Sequence, residues 1–436
     1  MSRKMKNSGI DSFGEIPEEW QTVKLKYLFN FSRGLNITKS DFIDNGVKVV
    51  TYGDIHSRYG FRVNPTVDKL NSVSFSYFEK MPDARLNRGD FVFADTSEDI
   101  KGSGDFTCFD SDNQCMAGYH TIVLKPKEKL NYKYLAYLFD SFGFRYQIQQ
   151  KVSGVKVYSI NQNILKNIFA LLPSKSEQKM IADFLSDATI KINKIISFNK
   201  QSIEELNSYK QSLITEAVTK GLDHEASMKD SGIDWIGSIP ENWEIVKLKY
   251  VADLQTGSTP PTKKLEYFNG DVTWYKPGDL KDTFLLEQSN DTLTIQAIKD
   301  NKATLFPENT IYFVGIGATV GKIGYSINKA YCNQQITALI AKYIQPKYLL
   351  FLLQTANEYI KSNALYTTLP IINNNYLGNI KLPLPNLDTQ KKIVKYLETK
   401  LKSIDQIIED KNKLIEELEN YKQSLIYEYV TGKKEV

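Results

Sequence analysis

The chain states one segment twice. Residues 5–31 read MKNSGIDSFGEIPEEWQTVKLKYLFNF and residues 228–254 read MKDSGIDWIGSIPENWEIVKLKYVADL, identical at 16 of 27 positions. Gly9 and Gly232, Pro17 and Pro240, Trp20 and Trp243 are among the shared residues. A second match closes each half, EELNSYKQSLITEAVTKG at 204–221 against EELENYKQSLIYEYVTGK at 416–433. The stretches between these matches have almost nothing in common. A repeat of this length is far beyond a solenoid unit. It describes two copies of one module that share a frame and differ in content, which suits a protein that reads two different things.

The 436 residues therefore divide into two halves, each large enough to bury its own core. With 42% hydrophobic residues the composition is that of an ordinary soluble globular protein. There is no apolar run of about 18 residues, so no transmembrane helix is expected. The start, MSRKMKNSGID, carries charge with no apolar stretch behind it and does not read as a signal peptide. Three cysteines, Cys108, Cys115 and Cys332, make no disulfide framework and fit a reducing, cytoplasmic setting. The net charge of +4 is mild, with a surplus of 5 basic residues in 21–170 and 2 in 244–380. That balance permits nucleic-acid binding without demanding it.

Each half has three parts: an opening segment rich in Gly, Pro and Trp, a middle of strand-like runs, and a long helix. KVVTYGDI, RGDFVFADT and YHTIVLKP are strand-like in the first half. DVTWYKPGDL, NTIYFVGIGATVGKIGYS and QQITALIAKYI are their counterparts in the second, and helical segments are expected at 132–142 and 346–356. The long helices are expected over 175–219 and 387–430, after Pro173 and Pro385. Ser174 or Ser176, and Asp388 or Thr389, are the candidate caps, and Gly221 and Gly432 the ends. Heptad positions run through both helices. One series is Leu185, Ile192, Asn199, Leu206 and Leu213, repeated as Leu397, Ile404, Lys411, Leu418 and Leu425. The accompanying series is Ile181, Ala188, Ile195, Ser202 and Tyr209, repeated as Ile393, Lys400, Ile407, Leu414 and Tyr421. An apolar seam of about 43 residues, about 65 Å long, needs a partner helix, and the other copy is the simplest one. Antiparallel packing would set the two domains at opposite ends of a rod. Asn199 and Lys411 would then meet near its middle and could fix the register.

Several motifs are weak. GIGATVGKIG (315–324) has five residues between Gly315 and Gly321-Lys322 and no following Ser or Thr, so it reads as a tight strand turn rather than a phosphate loop. Pro82-Asp83 with Asp99-Ile100-Lys101 fits the loose pattern of a Mg²⁺ nuclease, yet the second half has no counterpart. His56, His120 and His224 are scattered, and with Cys108 and Cys115 they lack metal-site spacing. No DPPY-like or NPPY-like tetrapeptide of an amino-methyltransferase is present. Neither a catalytic set nor a metal site is expected. Loops of another kind point one way. HSRYGFR (56–62) sets arginines among aromatics, and SGVKVYSINQN (153–163) and LYTTLPIINNN (365–375) are rich in Lys, Tyr, Thr and Asn. Arginine suits guanine or phosphate, Asn and Gln suit adenine, and TGSTPPTKK (256–264) suits phosphate.

The sequence resembles the specificity (S) subunits of type I restriction–modification systems. The resemblance rests on SGIDWIGSIPENWEIVKLKY (231–250) and its first-half copy, and on TGSTP…WYKPGDL (256–280). It also rests on the junctions IFALLPSKSEQKMIADFL (168–185) and IKLPLPNLDTQKKIVKYL (380–397). Ser174, where the family commonly has a second proline, and Thr389, in place of a glutamate, are the departures. The likeness covers the whole chain and implies an α+β architecture: two target-recognition domains separated by two long helices forming an antiparallel coiled coil. The expected division is a first recognition domain over 1–173, a helix over 174–221, a second domain over 222–386 and a helix over 387–436. It implies a non-catalytic subunit that reads a bipartite, asymmetric double-stranded DNA site, one half per domain. The implied partners are two modification (M) subunits, which use S-adenosylmethionine to methylate adenine N6. Restriction (R) subunits, using ATP and Mg²⁺, would join them.

From residue type and loop position, the expected DNA contacts in the first domain are Arg33, Arg58, Arg62, Lys156 and Tyr158. In the second they are Ser258, Thr259, Lys263, Lys281, Thr319, Lys322 and Asn374. Trp20 and Trp243 are read as core residues or as anchors of the junction. Two rival readings stay open at this point, a stand-alone Mg²⁺-dependent nuclease and a coiled-coil scaffold that does not touch DNA.

Overall fold

A computed structural model of the chain describes residues 3–57, 61–154, 157–281, 284–362, 365–366 and 370–436. They form two compact units, Met1–Asn199 with Asn412–Val436, and Lys200–Lys411. The units are drawn differently from the division expected from sequence. Each takes in part of both long helices, and they part at Asn199 and Lys411, the two polar seam residues.

In the first unit the opening segment is a hairpin, Met5–Asn7 against Glu15–Pro17, whose turn places Gly9 and Gly14 at positive φ. The next strand, Gln21–Lys24, pairs with Phe169–Leu172, so the start and end of the recognition domain close on each other. Between them lie two sheets. The first runs in the order Phe29–Arg33, Thr121–Pro126, Phe91–Ala94, Phe106–Phe109, Arg62–Val63. The second runs Asn71–Val73, Val47–Val50, Cys115–Ala117, Arg85–Leu86. Phe91–Ala94 and Phe106–Phe109 are buried at every position, as continuous apolar runs predict for strands covered on both faces. Their rings, with Phe29, Phe139 and Phe144, make an aromatic core with centroid spacings of 4.4–6.1 Å. Phe139 and Phe144 come from the helices Tyr132–Asp140 and Phe142–Gln149; the Asn131 side chain caps the former by accepting from Tyr134 N at 3.1 Å.

The second unit repeats this plan. A hairpin, Met228–Asp230 with Ser238–Pro240, is followed by the closing pair Glu244–Lys247 with Lys381–Leu384. One sheet has the order Ala252–Thr256, Ile336–Ala341, Thr310–Val314, Ile323–Ser326. The other has Thr292–Leu293, Phe268–Tyr275, Ala330–Cys332, Leu305–Phe306. Apart from the fifth strand of the first unit's first sheet, Arg62–Val63, the strand order matches the first unit, although the sequences hardly align. GIGATVGKIG is indeed a hairpin turn, with Gly317 and Gly321 at positive φ and Val314 N donating to Lys322 O at 2.9 Å. The helix Pro346–Ser362 lies where the first unit has two helices. Around it the core is mostly aliphatic, with Ile311, Leu339, Leu349, Leu352 and Leu353 fully buried.

The long helices are Lys175–Lys220 and Leu387–Val430. Ser174 caps the first, its hydroxyl accepting from Glu177 N at 3.3 Å. The second is capped by Asn386, accepting from Thr389 N at 2.9 Å, and not by Asp388 or Thr389 as the sequence suggested. In the first unit Phe184 packs on Tyr429, centroids 4.5 Å apart, and Lys422 donates to Asn193 at 3.1 Å, so the two helices run antiparallel there. In the second unit Leu213, Ile214, Ala217 and Val218 share a core with Ile393, Val394, Leu397 and Ile404, and Lys210 pairs with Asp405.

The series beginning at Leu185 and Leu397 faces inward: Leu185, Ile192, Asn199, Leu213, Leu397, Ile404 and Leu425 are buried, and Leu206, Lys411 and Leu418 half-buried. Asn199 Nδ2 donates to Ile195 O at 2.9 Å. The accompanying series departs from expectation. Ile181 and Ile393 are buried, but Ile195, Tyr209, Ile407, Leu414 and Tyr421 are 41–56% exposed. The inward partners are instead Thr189, Ile196 and Ala217 in the first helix and Ile408, Ile415 and Ile426 in the second. A seam that advances by four then three residues can start on either side of its first series, and the sequence does not mark which side.

Each helix ends where the opposite opening segment is waiting. Gly432 (φ +69°) lies against Pro17 and Trp20, and Gly221 (φ +81°) lies against Trp243. Trp20 and Trp243 are both buried, and the Trp20 indole N–H donates to Glu177 at 3.0 Å. Tyr134 Oη sits within reach of Leu171 O (3.1 Å) and Val430 O (3.3 Å). Tyr348 Oη stands in the same relation to Val218 O and Pro383 O, at 3.1 and 3.3 Å. The same tyrosine thus ties domain, junction and helix end in both units.

Candidate nucleic-acid interface

Strand register gathers side chains from distant segments at one end of each domain's first sheet. In the first unit Arg33 lies opposite Ile122, and Thr121 opposite Ala94. Asp95 N donates to His120 O at 3.0 Å, and Thr96 pairs with Ser159. This rim carries Arg33, exposed, and Tyr158, half-buried. It also carries residues the sequence reading passed over. Tyr52 stands edge-on to His120, Tyr119 and His56, with centroids 5.2, 5.5 and 6.4 Å away. His120 has φ +55°, a left-handed backbone that a non-glycine residue adopts at a cost, and its Nδ1 lies 3.2 Å from Asp95 Oδ1. Two of the histidines read as scattered are therefore brought together, because a sheet end unites residues far apart in sequence. Beside them is a cavity of about 640 Å³ walled by Tyr52, His56, Thr96, Lys101, Asp105 and Arg145.

Arg62 is placed elsewhere. It stacks on Phe61 and faces Asp110 at 3.8 Å, in a second cavity lined also by Asp68, Asp140 and Lys422. Arg58 and Lys156 lie outside the described residues.

The second unit builds the corresponding rim from amides and hydroxyls. Thr256 is opposite Thr337, and Asn374 bridges them, accepting from Thr337 Oγ1 at 2.6 Å and donating to Thr256 Oγ1 at 3.0 Å. Thr259 bonds to Gln334, and Asn333 donates to Gln335 at 3.1 Å. Ser258 is a structural link: its hydroxyl accepts from Thr304 N at 2.9 Å, and its carbonyl accepts the Trp274 indole N–H at 3.1 Å. Lys281 joins Thr319 and Lys322, some forty residues further on, in lining one cavity of about 700 Å³, which Lys361 and Gln354 also line. Lys263 is exposed on the loop before the helical turn Leu265–Tyr267. The CNQQ run at 332–335 and the YH pair at 119–120 both sit immediately before the equivalent strands, a positional signal that could have found both rims.

Among the described residues, no three His, Cys, Asp or Glu side chains are placed to hold a metal ion. Asp83 lies on the turn Pro82–Ala84 and Asp99 in the cavity wall of the first unit. Burial pushes the thiols of Cys108, Cys115 and Cys332 up, that of Cys115 to about 12, which leaves them unreactive. Among the described residues, no helix is long and apolar enough to cross a membrane.

The comparisons with known proteins agree with this architecture. The family profile described as the type I restriction modification DNA specificity domain matches twice, over residues 17–207 and 240–419. The MjaVIII specificity subunit of Methanocaldococcus jannaschii is 32% identical over 68% of this chain and 69% of its own length. The EcoDI specificity subunit of Escherichia coli is 23% identical over 97% of this chain and 90% of its own. A structure solved in a study of assembly and conformational transition in the type I restriction–modification system superposes with a TM-score of 0.73. It covers 96% of this chain and 99% of its own, at 16% identity. The HsdS subunit of Thermoanaerobacter tengcongensis gives a TM-score of 0.54 at 17% identity, covering 96% of this chain and 98% of its own. The chain belongs to the family of type I restriction–modification DNA specificity subunits.

Proposed function

We propose that this chain selects the DNA on which a type I restriction–modification complex acts, each unit reading one half of a bipartite, asymmetric site. The observation that carries this reading is the pairing of one strand order with two unlike rims. One is aromatic and ionic around Tyr52, His56 and His120; the other is amide and hydroxyl around Thr256, Gln335 and Asn374. Residues of the second kind favour adenine edges, and lysines such as Lys281, Lys322 and Lys263 favour phosphates. The long helices set the spacing between half-sites.

Two modification subunits are the partners this reading requires. Ile195 and Ile407, and Tyr209 and Tyr421, occupy matching places in the repeated helices and are exposed in both copies. A duplicated apolar surface suits two copies of one partner. Chemistry rests with those partners: S-adenosylmethionine on the modification subunits, ATP and Mg²⁺ on the restriction subunits, in the cytoplasm. Among the described residues, nothing in the rims favours the nuclease or the scaffold reading.

The test is a methylation map of the host genome with the gene intact, deleted, or carrying another family member's domain in place of residues 21–170. Deletion should erase one gapped N6-methyladenine motif, and the exchange should change one half of it. A map unaffected by deletion, or an exchange that alters both halves, refutes the reading.

A further inference from the structure

His56 lies in the last turn of the helix Tyr52–Ser57, and both of its ring nitrogens are engaged by acceptors. Nδ1 lies 2.7 Å from Asp105 Oδ2, and Nε2 lies 2.8 Å from the Thr96 carbonyl. A peptide carbonyl has no proton to give, and Asp105 is kept ionised by its other oxygen, which is held by Arg145. With acceptors at both ring nitrogens, the arrangement favours the doubly protonated, cationic ring. The Arg145 guanidinium also donates to Lys101 O at 2.9 Å, completing a network across the helix Tyr52–Ser57, the loop 98–105 and the helix Phe142–Gln149. The hydrogen bond with Asp105 raises the pKa of His56 against its burial, and the bond to Thr96 adds to this. Burial alone would raise Asp105, but His56 and Arg145 outweigh it and hold the carboxyl below its usual range.

We propose that His56 is a positioning residue for DNA reading by the first unit, its imidazolium fixing Tyr52 and the Thr96 strand end on the rim. The proposal rests on the reading of that rim as a DNA-recognition surface. Tyr52 is one helical turn before His56 and carries the contacts to Tyr119 and His120; Thr96 joins the rim to the Tyr158–Ser159 strand. The charged groups around His56 are Asp105, Glu98, Asp99, Lys101 and Arg145 in the cavity wall, with the Asp95–His120 pair beyond Tyr52. Asp54, on its own helix, is turned to Thr51 at 2.6 Å. When His56 loses a proton, one ring nitrogen sets a lone pair against an acceptor, and the tie opens. A raised histidine contributes fully below its unfolded pKa and loses that contribution as pH rises through its folded one. The rim of the second unit is built from Asn, Gln, Thr and Ser side chains, which do not titrate in this range.

The experiment uses the full chain assembled with its modification subunits. The probes are duplexes carrying the mapped motif, intact or with either half-site scrambled. From about pH 6 to about pH 9, discrimination for the first unit's half-site should fall about tenfold while that for the other half-site holds. His56→Gln, which cannot carry the charge, should hold the first half-site at every pH near the weak level that the wild type reaches at about pH 9, and so flatten its profile. Asp105→Asn keeps the side-chain size and should move the transition to lower pH; it decides the matter if His56→Gln does not fold. A flat wild-type profile, equal loss at both half-sites, or a His56→Gln profile like the wild type overturns the role of His56. A wild-type complex that prefers the intact duplex at no pH overturns the DNA-recognition reading itself, and this proposal with it.

Discussion

The two units solve the same folding problem with different chemistry, and the difference separates what the fold needs from what the site needs. Both keep the hairpin, the closing strand pair, the buried tryptophan and the tyrosine that reaches a helix-end carbonyl. The repeat spells the hairpin and the tryptophan twice, and the tyrosine recurs in a KYL triplet at 133–135 and 347–349. Between them the cores diverge: stacked phenylalanines fill the first, and leucine and isoleucine with a longer helix fill the second. Cores tolerate such exchange when volume and pattern are preserved. The rims diverge further, because nothing in the fold holds them to one chemistry.

The sharpest way to break the claim of a shared frame is at the helix ends. A Cβ on Gly432 would lie 2.4 Å from Pro17 Cγ, whereas one on Gly221 would meet Trp243 only at 3.2 Å. Both positions have positive φ, which costs an L-residue about 1 kcal/mol, and the clash adds to the first alone. Gly432→Ala should destabilise the first unit by about 3 kcal/mol, and Gly221→Ala the second by about 1 kcal/mol. Hydrogen exchange resolved by unit measures both. Equal losses would mean that the two helix ends are seated alike and that the close approach at Pro17 does not matter.

A second contrast concerns a buried acid. Asp90 precedes the strand Phe91–Ala94, whereas Asn309 precedes the equivalent Thr310–Val314. Burial pushes Asp90 up to about 6, against a hydrogen bond from Asn87 N at 2.9 Å and the charge of Lys125. A carboxyl raised on folding weakens the fold as pH climbs from its unfolded value to its folded one, and the loss is complete above that. Asp90→Asn should therefore stabilise the first unit by about 3 kcal/mol at neutral pH, with the gain vanishing near pH 4. Thermal unfolding against pH checks it; a gain that persists in acid would point to packing and not charge.

What could be read in advance follows the same division. The long helices were legible within a residue because Pro173, Pro385, Gly221 and Gly432 bracket a periodic apolar pattern. The seam was half legible: Leu185 and its series face inward, but Ile195, Tyr209, Ile407 and Tyr421 turn outward, since apolar residues flank the first series on both sides. The cap at Asn386 was missed beside two other good capping residues. The rims were the least legible. Tyr52, Asp95, Asp105, His120 and Arg145 are spread from residue 52 to residue 145, and register and loop closure bring them together. Residue type alone does not show that the hydroxyl and carbonyl of Ser258 also bind Thr304 and Trp274 inside the domain.

That last contrast gives the smallest effect and the finest test. Lys322 is exposed and shares its cavity with Lys281, Lys361 and Thr319, so its ammonium is available to a phosphate. A phosphate contact contributes counterion release and no base preference. Lys322→Ala should weaken DNA binding by a similar factor on every sequence and lower the salt slope by about 1, leaving the methylated motif unchanged. Ser258→Ala should do the opposite: it leaves the slope alone and, by loosening Thr304 and Trp274 beneath the rim, relaxes preference in the second half-site only. Titrations at several salt concentrations separate the two. If Lys322→Ala altered the motif while Ser258→Ala altered the slope, the roles assigned to cavity and rim would have to be exchanged.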